Sequence, residues 1–358
     1  MRKNEIFGSD RLFAVMFGGR GCEHEISCKT AGNVINTARR IGYSILPVAI
    51  DKTGDFYIYL GDGERIGNGD CFSDAEMLLP TFPLRLEGKG GFFAEGGIVP
   101  VVSTLVALHG DHGEDGRIQG LLACAGIPYV GADTVSGALA YDKAAAKALV
   151  EKMGIPTVPW VLLTDRDESS ALLSARTVGY PMFIKPSGLG SSIGVSAVRS
   201  DEEFYDAYRK AYALSGGRVL AEKYVERKLE LECAYIDACG LRAITPPGAV
   251  NTDNRIYGYS EKYESKSAKL YALAEVGDDI LALAREYTEK ICNSLSLRHL
   301  ARVDYFLTDD GELLFNEINT FPGMTDESLY FAMLSEYGIN IEKGISALLE
   351  APLWEGSR

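Results

Sequence analysis

The residues best suited to chemistry lie near the C-terminal end, in two short segments on either side of a turn. Arg302 and Asp304 are two positions apart, and so are Glu317 and Asn319, with Asp-Asp-Gly at 309–311 between the two pairs. In a β-strand, side chains two positions apart project from the same face. The pattern predicts a hairpin whose polar side chains gather on one face.

The pairing within this hairpin, over 301–318, decides whether the polar groups meet. We expect Leu307 to lie opposite Glu312. Arg302 then lies opposite Glu317 and the polar groups share one face, whereas a shift by one residue sends them to opposite faces. Carboxylate and amide oxygens without a His or Cys partner suit Mg²⁺, and an arginine beside them can neutralise a transferring phosphoryl group. The alternative is an ion-paired, solvated sheet face.

A second candidate is a Gly- and Ser-rich segment that follows an apolar run. Lys185 ends that run and opens Lys-Pro-Ser-Gly-Leu-Gly-Ser-Ser-Ile-Gly, which ends at Gly194. Glycines let backbone N–H groups approach phosphate oxygens, and a lysine adds a positive charge. The order differs from a Walker A loop, in which the lysine follows the glycines. The pattern indicates a phosphate-binding loop, with a flexible surface hairpin as the alternative.

A third candidate follows the first apolar segment, at Gly-Gly-Arg-Gly-Cys-Glu-His-Glu over 18–25. A Gly-rich turn there invites a dinucleotide-binding interpretation, but His24 stands where GxGxxG needs its third glycine. An acid at a helix start repels a pyrophosphate and attracts an ammonium, so Glu23 suits an amino acid better. Its alternative is to stabilise the helix N-terminus, the role that we assign to Glu25. The two histidines of 109–116 are weak evidence for a metal.

Periodicity along the chain predicts alternating strands and helices. Apolar runs closed by glycine predict strands, and longer amphipathic segments predict helices. The predicted strands lie at 12–17, 44–50, 105–108, 158–163, 181–185, 220–225 and 229–235, and the predicted helices at 25–41, 134–153, 169–177 and 278–295. The opening strand–helix–strand order is typical of a parallel, doubly wound sheet with ligand loops at its carboxyl edge.

The length of 358 residues is too great for one ordinary core and suggests two or three domains, and the same patterns divide the α/β chain into three. The N-terminal domain covers 1–131 and carries an insertion at about 52–97, in which 55–59 alternates like an exposed hairpin. A central domain covers 132–217, and a C-terminal domain covers 218–358.

Composition excludes several classes of protein. Hydrophobic residues make up 46% and charged residues 24% of the chain, which is typical of a globular protein. A formal net charge of −14 opposes nucleic-acid binding, which requires a basic surface. We find neither a secretory leader nor an apolar run of the roughly 18 residues that span a bilayer. Seven scattered cysteines without CxxC pairing favour free thiols, so we expect a cytoplasmic protein that does not bind membranes.

Taken together, these segments resemble the D-alanine–D-alanine ligases of the ATP-grasp superfamily. The insertion near Asp55 and the Tyr-Ser-Glu-Lys-Tyr over 259–263 also resemble the vancomycin-resistance D-Ala–D-Ser ligases. The matching segments lie at 17–27, 109–131, 142–147, 185–194, 222–232, 261–263 and 302–329. The resemblance implies an ATP-grasp fold of three domains: a Rossmann-like substrate-binding domain, a central domain that covers ATP, and a C-terminal catalytic domain.

The resemblance also implies where ATP and metal ions bind. ATP would lie between the central and C-terminal domains, held by Lys143, Lys185, Ser192, Glu222, Val225, Glu230 and Lys262. The lysines would contact phosphates, Glu222 and the Val225 backbone would bind the adenine edge, and Glu230 the ribose. Two Mg²⁺ ions, or Mn²⁺ in their place, would be held by Asp304, Glu317 and Asn319.

For the amino acids, the resemblance implies a binding role for Glu23 on the ammonium of a first D-alanine and for His109 near its carboxylate. Ser191 and Tyr263 would link to Glu23 as a loop closes. The second half of the reaction would use Arg302 and the Gly323 N–H at the oxyanion, and Ser328 and Leu329 at the second D-alanine.

The implied reaction is ATP-dependent ligation of two D-alanines to D-alanyl-D-alanine through a D-alanyl phosphate, with release of ADP and phosphate, for peptidoglycan precursor synthesis. Leu329 favours D-alanine over D-serine, because a hydroxyl facing leucine loses a hydrogen bond. Phe331 stands where proline is usual and lies close enough to Leu329 to affect this choice. The alternatives are a D-alanine–D-serine ligase of the vancomycin-resistance type and a catalytically idle nucleotide-binding regulatory protein. We also expect a homodimer.

Overall fold

The first sheet is built around the apolar strand that begins at Phe13. The computed structural model describes residues 11–251, 269–325 and 328–356. The parallel half of this sheet has the order β2-β1-β7-β8, formed by Phe13–Gly18 (β1), Ile45–Ile50 (β2), Ser103–Val106 (β7) and Tyr129–Val130 (β8). Its first three strands are buried along their whole length, as expected when both faces are covered. The parallel sheet predicted for the N-terminal region is therefore confirmed.

The insertion extends this sheet instead of standing apart from it. Four antiparallel strands continue its edge, at Phe56–Tyr59 (β3), Leu78–Leu86 (β4), Lys89–Ala94 (β5) and Gly97–Val99 (β6). The prediction of an exposed hairpin at 55–59 was wrong, because Ile58 and Tyr59 are both 0% exposed. Alternate residues of β3 enter the apolar layers on the two sides of the sheet, so alternation here does not mean exposure. The helices of this region are His24–Arg40 (α1), Glu64–Gly67 (α2) and Arg117–Ala125 (α3).

A four-stranded antiparallel sheet forms the middle of the molecule, with the order β11-β10-β12-β9. Its strands and helices are Trp160–Leu163 (β9), Met182–Pro186 (β10), Ser196–Val198 (β11), Val219–Lys223 (β12), Glu168–Ala175 (α6) and Asp201–Leu214 (α7). β12 begins after residue 217, where we expect the C-terminal domain to start, yet it pairs with β9 and β10. The domain limits remain a prediction, and this pairing favours a later second boundary.

The third sheet carries the hairpin predicted from the polar residues. Its path is β16-β15-β13-β17-β18, with β14 paired to β13. The elements are Leu229–Ala238 (β13), Leu241–Ile244 (β14), Gly248–Asn251 (β15), Lys269–Tyr271 (β16), His299–Leu307 (β17), Leu313–Asn319 (β18), Asp278–Ser294 (α8), Leu329–Glu336 (α9) and Ile341–Gly356 (α10).

The helix predicted over 134–153 is broken in two, at Thr134–Tyr141 (α4) and Lys143–Lys152 (α5). Asp142 between them is extended, and its side chain accepts the Ala145 N–H at 3.0 Å as the N-cap of α5. The prediction of one helix was wrong because this aspartate caps a second helix in mid-segment. The break places Lys143 at a helix start beside the Gly/Ser-rich loop, where its amide donates to the Ser187 carbonyl at 2.8 Å.

One apolar core joins the two ends of the chain. Residues of β1 and α1 share a buried cluster with α9 and α10, including Phe17, Val34, Tyr330 and Leu348. Burial of this kind stabilises by roughly 25 cal/mol per Å² of apolar surface. The first and third sheets are therefore held against each other. Among the residues that the structure describes, no helix combines the length and apolarity needed to span a bilayer.

Candidate functional site

The hairpin of β17 and β18 brings the predicted polar groups onto one face, but with a different pairing from the one predicted. Leu307 lies opposite Leu313, and a bulge between Asp304 and Tyr305 shifts the register again. Asp304 consequently lies opposite Glu317. The predicted pairing of Leu307 with Glu312 was wrong because the loop is one residue longer. Two shifts of one residue preserve the face, so the polar groups still meet.

Arg302 is held between carboxylates on this face. Its Nε and Nη2 donate to the two carboxylate oxygens of Asp304 at 2.7 and 2.6 Å. Its Nε also lies 3.1 Å from Oε2 of Glu232, which is opposite Asp304 on β13. Burial lowers the pKa of Arg302, but Asp304 and Glu232 outweigh it and raise the pKa well above its usual value. The guanidinium is a fixed positive charge.

The oxygen-rich groups predicted to hold metal ions cluster beside this arginine. Asn319 Nδ2 donates to Asp304 at 3.0 Å, so the amide oxygen of Asn319 remains available as a ligand. Glu317 forms an ion pair with Lys143 at 3.2 Å. Asp304, Glu317 and Asn319 are therefore brought together, beside two cationic side chains that suit phosphate.

Lys185 and Glu222 form a buried ion-pair network with a residue that we did not predict, Lys147. The Lys185 ammonium lies 2.5 Å and the Lys147 ammonium 2.9 Å from the two carboxylate oxygens of Glu222. Burial raises the pKa of Glu222, but the two lysines lower it to about 2. Burial also lowers the pKa of Lys185, against the pull of Glu222. The adenine role of Glu222 stays a prediction, since its carboxylate is engaged by lysines here.

The Gly/Ser-rich loop has a strained backbone, and its residues 189–193 line a cavity between the second and third sheets. Leu189, Ser191 and Ser192 have φ of 89°, 52° and 56°, in the left-handed region that costs non-glycine residues energy. At Gly188, a Cβ would lie 2.7 Å from the Tyr141 ring, so only glycine fits. Strain of this kind persists where surrounding contacts hold the loop, and it concentrates at ligand sites.

The loop is attached to Glu23, the candidate ammonium ligand. Ser191 Oγ donates a short hydrogen bond to Oε1 of Glu23, although the two residues are 168 positions apart. Glu23 is the N-cap residue of α1, and it is buried. The Gly18 turn that precedes it has φ of 91°, and a Cβ there would lie 2.2 Å from the Ile50 carbonyl oxygen. The tight turn therefore requires glycine, and it directs the chain so that Glu23 lies against the loop.

His109 is buried, and both of its ring nitrogens are engaged. Nδ1 lies 3.1 Å from the Phe321 carbonyl oxygen, which can only accept, so Nδ1 carries a proton. Nε2 lies 2.9 Å from Thr30 Oγ1, whose hydroxyl then donates to it. Burial is the main cause that lowers the pKa of His109, against Glu23 and the Phe321 carbonyl. The imidazole is neutral, and the predicted contact with a substrate carboxylate remains a prediction.

Glu114 links the His109 loop to the third sheet. Its two carboxylate oxygens accept the Gly110 N–H at 2.9 Å and the Phe321 N–H at 3.1 Å. Burial and the nearby charge of Glu23 raise the pKa of Glu114 to about 7. The carboxylate fixes two backbone segments that are about 200 residues apart in the chain.

Residues 321–324, which we call the oxyanion segment, contain the predicted donor Gly323. Ser328 Oγ donates to the Gly323 carbonyl, and Leu329 is buried at the start of α9. Phe331 points to α10, where a Cβ on Gly344 would lie 2.6 Å from its ring. Its ring therefore packs against α10, in the same buried cluster as Leu329.

The two parts of the chain that form this site each match a family model. Residues 12–132 match the D-ala D-ala ligase N-terminus, and residues 149–350 match the D-ala D-ala ligase C-terminus. The chain belongs to the D-alanine–D-alanine ligase family. The resemblance stated from the sequence is thereby confirmed.

Relatives and solved structures agree with this membership. The D-alanine–D-alanine ligase of Thermoanaerobacter sp. (strain X514) is 33% identical over 95% of this chain and 94% of its own, and that of Mycolicibacterium gilvum is 34% identical over 96% and 97%. VanG D-Ala:D-Ser ligase from Enterococcus faecalis has a TM-score of 0.86 at 32% identity, covering 96% of this chain and 100% of its own. The ligase from Coxiella burnetii has a TM-score of 0.85 at 25% identity, covering 97% and 95%. The predicted ATP-grasp fold is confirmed.

The other residues for which the family resemblance implies a role fall into two groups. Some line the cavity between the second and third sheets, and the others lie outside the described residues. Ser192, Val225 and Glu230 line that cavity, and Glu230 forms an ion pair with Arg227 at 2.7 Å. Lys262 and Tyr263 fall outside the described residues.

Sequence reasoning missed four residues of the ligase site: Lys147, Glu232, Glu114 and Asn33. Lys147 follows Lys143 by one helical turn and Glu232 follows Glu230 by one strand repeat, and both spacings were visible in the sequence. Nothing local marks Asn33, or the contact of Glu114 with the third sheet region, because their partners Met324 and Phe321 lie more than 200 residues away.

A cluster at Asp111, His112 and Asp115 is the one group of three acidic or His/Cys side chains, within the described chain, close enough to hold a metal ion. Arg117 already forms ion pairs with both aspartates, at 2.9 and 2.7 Å. Arg117 thus already neutralises part of the negative charge of the cluster, which agrees with the weak weight given to these histidines in the sequence.

Proposed function

We propose that this chain joins two D-alanines into D-alanyl-D-alanine at the expense of ATP. The observation that carries the proposal is the hydrogen bond from Ser191 to Glu23, which joins the phosphate-covering loop to the candidate ammonium ligand. This hydrogen bond supports a site in which a small amino acid lies directly beside a nucleotide phosphate. Members of the family use ATP, and the names of the relatives supply the D-alanine.

The charges around the cavity suit a triphosphate. Lys143 and Lys185 lie at its wall, with Ser191 and Ser192 above them on the strained loop. Lys185 is paired with Glu222, so its ammonium is held in one place. A preorganised charge stabilises a transferring phosphoryl group without reorganisation during the reaction.

The donor set of the hairpin fits Mg²⁺. Asp304, Glu317 and Asn319 offer hard oxygen ligands on one face and no sulfur or imidazole, which is the preference of Mg²⁺ and Mn²⁺. Bound Mg²⁺ would neutralise phosphate charge beside Lys143. Two ions held by these three residues are part of the proposal.

The chemistry follows from the need to activate a carboxylate. An oxygen of the first D-alanine carboxylate attacks the γ-phosphorus of ATP, the bond to ADP breaks, and a D-alanyl phosphate forms. The neutral amine of the second D-alanine attacks its carbonyl carbon, phosphate leaves with its bonding electron pair, and the nitrogen gives up a proton. In this proposal Arg302 and the Gly323 N–H stabilise the tetrahedral oxyanion, and such donors typically contribute about 3 kcal/mol each. The loop over the site limits hydrolysis of the acyl phosphate by water.

The choice of D-alanine as the second substrate depends on Leu329. Its buried apolar side chain suits the methyl group of D-alanine, while a D-serine hydroxyl beside it would lose a hydrogen bond at a cost of about 1–3 kcal/mol. The alternative is D-serine, favoured by the similarity to the VanG structure, whose title describes a D-Ala:D-Ser ligase. We also propose a homodimer and a cytoplasmic location.

The test is product analysis with D-alanine, D-serine and ATP at equal amino-acid concentrations. We expect D-alanine-dependent phosphate release, D-alanyl-D-alanine as the main product, and loss of both on removal of Mg²⁺. Absence of D-alanine-dependent phosphate release would overturn the proposal and favour an idle nucleotide-binding protein. A Leu329→Arg variant should shift the product ratio toward D-serine, and an unchanged ratio would remove Leu329 as the determinant.

A further inference from the structure

Polar side chains form a stripe along α1, of which the proposed reaction uses only Glu23. Glu23, Ser27, Thr30 and Asn33 are spaced by four, three and three residues, the spacing of neighbours on one helix face. Ser27 and Thr30 are completely buried among apolar residues of α1. A buried polar side chain is costly unless it is hydrogen-bonded, so the partners of the stripe reveal what it supports.

The last two members of the stripe reach the site. Thr30 holds His109, whose other nitrogen donates to the Phe321 carbonyl. Asn33 Nδ2 donates to the Met324 carbonyl at 2.7 Å, across 291 positions of sequence. Asn33 is half-buried and Met324 is fully buried, so this hydrogen bond is shielded from competing water.

Three hydrogen bonds from the first sheet region therefore converge on the oxyanion segment. Phe321 is held through its N–H by Glu114 and through its carbonyl by His109. Met324 is held through its carbonyl by Asn33. Gly323 lies between these two anchored residues, so its N–H direction depends on both anchors.

We propose that Asn33 is a positioning residue that sets the oxyanion segment for the second step of the ligation. The proposal rests on the proposed function. Glu23 and Asn33 are ten residues apart on one helix, about 15 Å at the helical rise. The same rigid element thus fixes the ammonium ligand of the first amino acid at one end and the oxyanion segment at the other. Asn33 acts through Met324 and need not touch a substrate.

The test replaces Asn33 by Asp, which has the same shape but presents an oxygen to the Met324 carbonyl. We expect Asn33→Asp to lower kcat for dipeptide formation about ten-fold, the size expected for loss of one shielded hydrogen bond. The KM for ATP should not change. Positional isotope exchange in labelled ATP reports acyl phosphate formation alone, and its rate should stay within about two-fold of the wild-type rate. The matched control is Asn36→Asp, an exposed position one turn later on α1.

A second measurement separates this proposal from the proposed function. Hydrogen–deuterium exchange of the peptide that covers 321–325 should be faster in Asn33→Asp than in the wild type or Asn36→Asp, whatever the substrate is. If the wild-type protein makes no dipeptide, the proposed function fails while this exchange still tests the anchor. Unchanged exchange, or equal losses in isotope exchange and ligation, would overturn the positioning role.

Discussion

Two buried lysines, Lys147 and Lys185, form ion pairs with the same carboxylate, that of Glu222. Lys147 is 0% exposed, and a lysine is rarely found so deeply buried without a charged partner. Removal of one partner from a buried ion pair leaves an uncompensated charge, which typically costs about 3–5 kcal/mol. Glu222 is the shared counter-charge of both lysines, so its removal leaves two buried charges uncompensated.

We predict that Glu222→Gln lowers the free energy of unfolding by about 3 kcal/mol, because Lys147 and Lys185 then lose their shared counter-charge. Denaturant unfolding followed by circular dichroism measures this change. Glu226→Gln is the matched control, since Glu226 lies exposed four residues later in the chain. Equal unfolding midpoints for the two variants would contradict the prediction.

The raised pKa of Glu114 predicts that its contribution to folding stability changes with pH in one direction. Its pKa is raised from 4.5 to about 7 by burial and by Glu23, so the folded protein keeps a proton that the unfolded chain has lost between these values. The contribution of Glu114 to stability therefore falls as pH rises from 4.5 to 7.

The Glu114→Gln variant, which cannot ionise, should lack this decline. Thermal unfolding of both proteins across that pH range measures it, and the difference in midpoint should shift in favour of the variant as pH rises. Parallel curves would show that Glu114 titrates near its ordinary value in the folded protein.

At the scale of elements, the break between α4 and α5 couples helix capping to the phosphate loop. Asp142 caps α5, accepts the Ser187 hydroxyl at 2.7 Å and pairs with Arg218 at 2.7 Å. One carboxylate thus fixes the helix that presents Lys143 and the loop that follows Lys185.

We predict that Asp142→Ala raises the KM for ATP by about ten-fold and also destabilises the protein, by at least the ~1 kcal/mol of a lost N-cap. Asp167→Ala removes the same kind of cap from α6, where Asp167 accepts the Ser170 N–H. It should cost similar capping energy and leave the KM for ATP unchanged. Steady-state kinetics beside thermal unfolding distinguish the two, and a matching rise in KM for both variants would refute the coupling.

The hairpin shows what an element's sequence can and cannot predict. Polar residues at two-residue spacing were enough to predict that Arg302, Asp304, Glu317 and Asn319 share a face. The register was beyond the sequence, because no local pattern indicates that the loop has five residues or that a bulge lies beside Tyr305. The helix over 134–153 failed for a different reason: apolar periodicity continues smoothly through a capping aspartate.

At the scale of the whole molecule, the site is assembled from all three sheets. The first supplies Glu23 and His109, the second Lys185 and the loop, and the third the hairpin. Long-range partners such as Glu114 with Phe321 could not be predicted from local pattern, whereas the glycine, lysine and acidic signals within each region could. The Ser191–Glu23 hydrogen bond is the contact that joins the second sheet region to the first across the site.

We predict that Ser191→Ala lowers kcat and raises the KM for the first D-alanine about ten-fold, because loop closure then lacks its bond to Glu23. The matched variant is Ser192→Ala, which alters the neighbouring position of the same strained loop and should instead raise the KM for ATP. Initial-rate measurements with each substrate varied in turn separate the two effects. The same KM pattern in both variants would contradict a bridging role for Ser191.

The bulge beside Asp304 decides on which face of the hairpin the side chains of β18 lie, because each one-residue shift in pairing reverses the face. The long loop displaces the pairing by one residue, the bulge displaces it by one more, and together they return Glu317 and Asn319 to the phosphate side. A change in the 308–312 loop that shifts the pairing of β18 by one residue would turn these side chains to the other face, while a shift by two residues would keep them on the same face. The hairpin therefore accommodates register shifts in steps of two, and an odd shift requires the gain or loss of a bulge.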